Sequence, residues 1–112
     1  MSNVYDLANN LAFEIRQSKE YKEYKDARNK VQANPELKDK IDEFEKVRYE
    51  AQVLAIKARK EDQDKIKKLQ ELYDILVQNK EIKEYFDLEV KFNVMIADVN
   101  KIIAESIKDV LV

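Results

Sequence analysis

The sequence predicts an all-α protein: an antiparallel bundle of about five helices, two of them long, that completes itself by dimerising. Three observations carry that expectation. The 112 residues include no glycine and one proline, Pro35, so little interrupts a helix, and tight hairpin turns lack their usual residue for φ > 0. Apolar residues recur three and four positions apart almost throughout, while period-two alternation is nearly absent. Charged residues make up 39% of the chain and hydrophobic residues 45%, which gives each helix a wet face and a dry one and argues against disorder.

Each element has its own signal. Ser2 or Asn3 caps a first helix over 3–17, whose apolar residues fall at Val4, Leu7, Ala8, Leu11, Ala12 and Ile15. Asp6 sits in the first turn, where negative charge suits the helix dipole. Ser18 opens a second helix over 19–32 with Tyr21, Tyr24, Ala27 and Val31. The sharpest boundary is Asn34-Pro35-Glu36, a side-chain cap, a proline at the first helical position and then an acid. The third helix, 35–59, carries Leu37, Ile41, Phe44, Ala51, Ala55 and Ala58 on one stripe, interrupted by Arg48. Tyr49, Val53 and Ile56 make a second stripe. Arg59 to Asp64 has no apolar residue and reads as a loop or frayed junction, with a continuous exposed helix as the alternative. The fourth helix, 64–78, shows Ile66, Leu69, Leu72, Tyr73, Leu76 and Val77. The fifth, 80–110, runs from Ile82 through Tyr85, Phe86, Phe92, Ile96 and Val99 to Val110, and is apolar on every side between Val94 and Ala97.

One segment echoes another. Residues 17–26 (QSKEYKEYKD) and 78–87 (QNKEIKEYFD) share seven of ten residues, and each begins at a capping residue after an apolar helix ends. Two equivalent helix–helix junctions, or two independent Lys/Glu-rich helix starts, both account for it. Residues 1–112 read as a single helical domain.

The composition excludes much chemistry. With no histidine and no cysteine, nucleophile–base pairs, zinc sites and Fe–S clusters lose their usual ligands. Phosphate-cradling loops need glycine. No catalytic residue, cofactor or metal is therefore expected. Acids are plentiful, but Glu20, Lys22, Glu23 and Lys25 alternate in sign, the pattern of a solvated face with i,i+4 pairs. The net charge of −2 draws the chain to neither nucleic acid nor anionic membrane. MSNVYDLANN lacks the basic and apolar regions of a signal peptide. The longest apolar run, 94–97, cannot cross a bilayer. A cytoplasmic protein is expected.

Some tyrosines invite base stacking, but Tyr5, Tyr73 and Tyr85 lie on or beside apolar stripes and read as core. Tyr21 and Tyr24, among Lys19, Lys22 and Lys25, are the aromatic–basic cluster worth keeping, and Glu20, Glu23 and Asp26 cancel its charge. Residues 57–68 hold six basic and three acidic side chains, a weak patch. Nucleic acid is not expected as a partner.

Three stretches, VYDLANNLAFEIRQSKEYKEYKDARNKV, NPELKDKIDEFEKVRYEAQ and MIADVNKII, resemble the YlbF/YmcA family of small helical bacterial proteins, and the closing VNKII its YheA-like branch. The resemblance covers essentially the whole chain. It implies an all-helical fold, homo-oligomers and a low-GC Gram-positive source. It also implies regulatory partnership in competence, biofilm and sporulation control and in ribonuclease-dependent RNA maturation. Some relatives bind Fe–S clusters through cysteines, which this chain lacks.

The expected function is that of a non-catalytic regulatory or adaptor protein acting by protein–protein interaction, with an accessory role in RNA processing as the alternative. The expected partners are a second copy, or a higher oligomer, and another protein. A helix of about 25 residues is nearly 40 Å long, while a compact chain of this size has a radius of gyration of about 13 Å. The long helices are therefore most simply completed by a copy of themselves. The candidate dimer interface comprises Arg48, Tyr49, Ala51, Val53, Ala55, Ile56 and Ala58 in the third helix and Val94, Met95 and Ile96 in the fifth. Arg48 would snorkel or pair across the seam, with a ligand anion as the alternative, and the alanines would let two backbones approach.

Overall fold

The computed structural model describes residues 3–58 and 63–111. They form five α-helices: α1 (Val4–Gln17), α2 (Lys19–Gln32), α3 (Pro35–Ala58), α4 (Gln63–Leu76) and α5 (Lys80–Ile107), closed by a 3-10 turn over Lys108–Val110. No strand occurs among the described residues, so the chain is all-α.

Side chains rather than glycines start the helices. Asn3 Oδ1 accepts from the Asp6 N–H at 2.9 Å, so the expected first cap is Asn3. Asn34 Oδ1 accepts from the N–H groups of Glu36 and Leu37 at 3.1 and 3.3 Å. Asn79 Oδ1 does the same for Glu81 and Ile82 at 2.9 and 3.1 Å, and Ser18 Oγ accepts from Tyr21 N–H at 3.1 Å. Each bond satisfies a donor that the first helical turn leaves unpaired. Replacing Asn34 or Asn79 with Ala should each cost about 1 kcal/mol; a urea midpoint equal to the wild type's would refute the cap's contribution.

The echoed segments share this geometry. Ser18 and Asn79 each cap the following helix with a side-chain oxygen. Each also donates its N–H back three residues, Ser18 to Ile15 and Asn79 to Leu76, at 3.1 and 3.0 Å. The two junctions share these bonds but differ in length, one residue between α1 and α2 and three between α4 and α5.

Some boundaries differ from expectation. Gln63 and Asp64, read as the end of a loop, form the first turn of α4; residues 59–62 lie outside the described residues. α4 ends at Leu76 rather than 78, because the Gln78 N–H reaches the Ile75 carbonyl at 3.2 Å in a closing turn. α5 gives way to the tighter turn after Ile107.

The chain divides into two compact units, one of Met1–Ala27 with Phe86–Val112 and one of Arg28–Tyr85. In the second unit, α3 packs against α4. Its core gathers Val31 from α2, Leu37, Ile41, Phe44 and Val47 from α3, Leu76 from α4, and Ile82 and Tyr85 from the start of α5. The spacing of 37, 41, 44 and 47 is one helical stripe. The stripe expected to meet Arg48 turns instead onto Val47, three residues past Phe44. Among the described residues of the first unit Ala27, Phe86 and Leu88 are buried, and α1 buries none of its residues.

Candidate interaction surface

The α3 half of the expected interface lies in the second unit. The Arg48 guanidinium sits 5.5 Å from the centre of the Phe44 ring, and one of its nitrogens is 3.9 Å from Glu45 Oε1. Its charge is thus engaged within its own helix, where an exposed pair adds little stability. Ala51, Val53 and Ala55 are half-covered. Tyr49 and Ile56 stand open, at 67% and 78% exposure. Ala58 closes α3, and its surroundings lie outside the described residues. Lys65 Nζ meets Glu50 Oε2 at 3.4 Å and links α4 to α3 beside this face.

The α5 half lies in the first unit. Val94 is exposed, while Met95 and Ile96 are half-covered. Val90, Ile102, Ile103 and Ile107 are exposed as well, so the bare apolar surface extends well past the four residues singled out by sequence. Val90, Val94, Met95, Val99 and Ile102 line a groove of about 490 Å³ together with Glu20, Lys91 and Asp98.

Sequence reasoning missed α1 as part of this surface. Its stripe was expected to find cover, yet Val4 is 78% and Leu7 58% exposed, and only Ile15 is half-covered. A signal was present at Ser18. Antiparallel helical hairpins use loops of about two to five residues, and a one-residue junction leaves α1 unable to fold back onto α2.

The tyrosines are corrected in part. Tyr85 is buried as expected, but Tyr5 and Tyr73 are exposed, because α1 has no covering helix and Tyr73 sits at an open edge beside Phe44, ring centres 6.3 Å apart. Tyr21 and Tyr24 pack on Phe92 at 6.1 and 5.4 Å between ring centres. The Tyr24 hydroxyl donates to Glu89 Oε2 at 3.3 Å, and Arg16 and Lys25 lie over the Tyr21 ring at 5.4 and 5.8 Å. The aromatic–basic cluster is therefore occupied internally. Acids pair with lysines along helix surfaces, as in Lys19–Glu23, Lys38–Asp42 and Lys40–Glu36 at 3.7, 3.7 and 3.3 Å. Among the described residues no three acids converge on a point that would hold a metal ion, and no helix is long and apolar enough to cross a membrane.

The family model described as control of competence regulator ComK, YlbF/YmcA, matches residues 4–108. The chain belongs to the YlbF/YmcA family. Among its YlbF/YmcA relatives, a UPF0342 protein of Caldicellulosiruptor bescii is 37% identical over 108 residues, covering 96% of this chain and 91% of the relative. One from Symbiobacterium thermophilum is 32% identical over 104 residues, 93% of each chain. One from Staphylococcus epidermidis is 31% identical over 108 residues, 96% of this chain and 95% of the relative. The match over residues 4–108 agrees with the resemblance read from the three stretches, and the family's description concerns the control of a regulator.

Proposed function

We propose that this YlbF/YmcA protein is a non-catalytic, cytoplasmic regulatory or adaptor protein that forms homo-oligomers and acts by binding another protein. The observation that supports it is the apolar surface left bare on the long helices, Tyr49 and Ile56 on α3 and Val94 and Ile102 on α5. Soluble monomers rarely leave large contiguous apolar patches uncovered, and a symmetric dimer presents the same face twice. The candidate faces are Arg48 to Ala58 on α3 and Val94 to Ile96 on α5.

Sedimentation at micromolar concentration tests the assembly: a fully helical species at the 13.3 kDa chain mass would refute it. RNA binding separates the accessory role in RNA processing. With acids matching lysines along each helix, only weak, salt-sensitive binding is expected; submicromolar binding at about 150 mM salt with a steep salt slope would reverse the ranking.

A further inference from the structure

We infer that the α1 stripe of one copy docks in the α5 groove of a second copy, and that the exchange is reciprocal; this rests on the homo-oligomeric reading above. The structure contains both a key and a lock, and neither is filled. The key is Val4, Leu7 and Leu11, spaced three and four apart along one face of α1 and exposed, the anchor pattern of a helix that lies in a groove. The lock is the groove of about 490 Å³ whose apolar walls are Val90, Val94, Met95, Val99 and Ile102.

The chain's own α1 cannot turn to fill it without breaking its junction. The Ser18 N–H and hydroxyl both donate to the Ile15 carbonyl, and Ser18 Oγ accepts from Tyr21 N–H. Arg16 stacks over Tyr21 on the far side of the same residue. These bonds clamp the last turn of α1 to the first turn of α2.

Area favours a second copy, and charge disfavours a lipid surface. At roughly 100–200 Å² for each large apolar side chain fully exposed, the bare residues of α1 and of α5 past Leu88 leave on the order of 1,000 Å² uncovered per chain. A stable interface needs about 800 Å² from each partner. The charged groups of α1 are Asp6, Glu14 and Arg16, and those of the groove are Glu20, Lys91 and Asp98. Each side holds two acids and one base, so opposite charges are available to pair across the contact although both sides are net negative. A basic amphipathic face suited to lipid is absent from α1, whose acids outnumber its bases.

The chain has no cysteine, so single engineered thiols report contacts cleanly. Leu11→Cys chains refolded together with Val94→Cys or Ile102→Cys chains should form a disulfide-linked species of twice the chain mass that neither variant gives alone. Leu7→Glu should weaken self-association by about a hundredfold or more, because a carboxylate enters an apolar groove, with helicity kept because Leu7 is exposed within the chain. Absence of the mixed disulfide with both partners overturns the inference. So does a disulfide formed within one doubly substituted monomer. A dimer that survives Leu7→Glu but is lost with Ile56→Glu moves the interface to α3 and leaves the homo-oligomer standing. A monomer at every concentration overturns both.

Discussion

Phe44→Ala should destabilise the chain by about 4 kcal/mol, the upper range for truncating a buried aromatic. Phe44 is 6% exposed. Its ring meets Tyr73 from α4 at 6.3 Å between centres and carries the Arg48 guanidinium at 5.5 Å. Removing it therefore empties one of the contacts through which α3 holds α4. Arg48→Ala should cost less than Phe44→Ala, about 1 kcal/mol, since its ion pair with Glu45 is exposed and its stacking on Phe44 is worth little at such a site. Urea unfolding at fixed protein concentration measures both, the fixed concentration mattering because self-association adds to apparent stability. Equal losses for the two variants would show that Arg48, not the ring, organises the contact.

Ile82→Ala should cost about 3 kcal/mol, and Ile82→Val about 1 kcal/mol. Ile82 is fully buried, at 0% exposure, and its N–H is one of the two that Asn79 caps. The side chain thus anchors the start of α5 in the second unit, and a close-packed interior relaxes only partly around the cavity left by Ala. A loss below about 1 kcal/mol for the Ala variant, within the range of a surface change, would mean that the second unit relaxes around the gap.

What the sequence made legible was local. Caps depend on a side chain and the next three residues, so Asn3, Ser18, Asn34 and Asn79 placed four helix starts within a residue of where they lie. The core stripe of α3 was legible through Leu37, Ile41 and Phe44 because helical period alone sets it. Beyond Phe44 two positions, Val47 and Arg48, both satisfy the period, and the stripe followed the one that needs no charge kept wet. Tyr5 and Tyr73 were misread because an apolar stripe says that a face seeks cover, not that its own chain supplies it. For the same reason the candidate surface stopped at α3 and residues 94–96, and α1, with its whole stripe bare, was left out.

The division of the chain has a consequence for the order in which the molecule assembles during synthesis. Residues Arg28–Tyr85 are one unbroken stretch, whereas their companion unit joins segments on either side of it. The unbroken stretch has all its partners as soon as Tyr85 is made, and closing its short loops costs little entropy. Tyr21 and Tyr24 are made early and must wait for Phe92 of α5. Pulse-labelled hydrogen exchange during refolding should protect amides of α3 and α4 before those of α5 beyond Phe86, and the reverse order would contradict it. The apolar stripe of α1 stays bare even when α5 is complete, a sticky end on every chain, and chains growing side by side on one message are the first partners it meets.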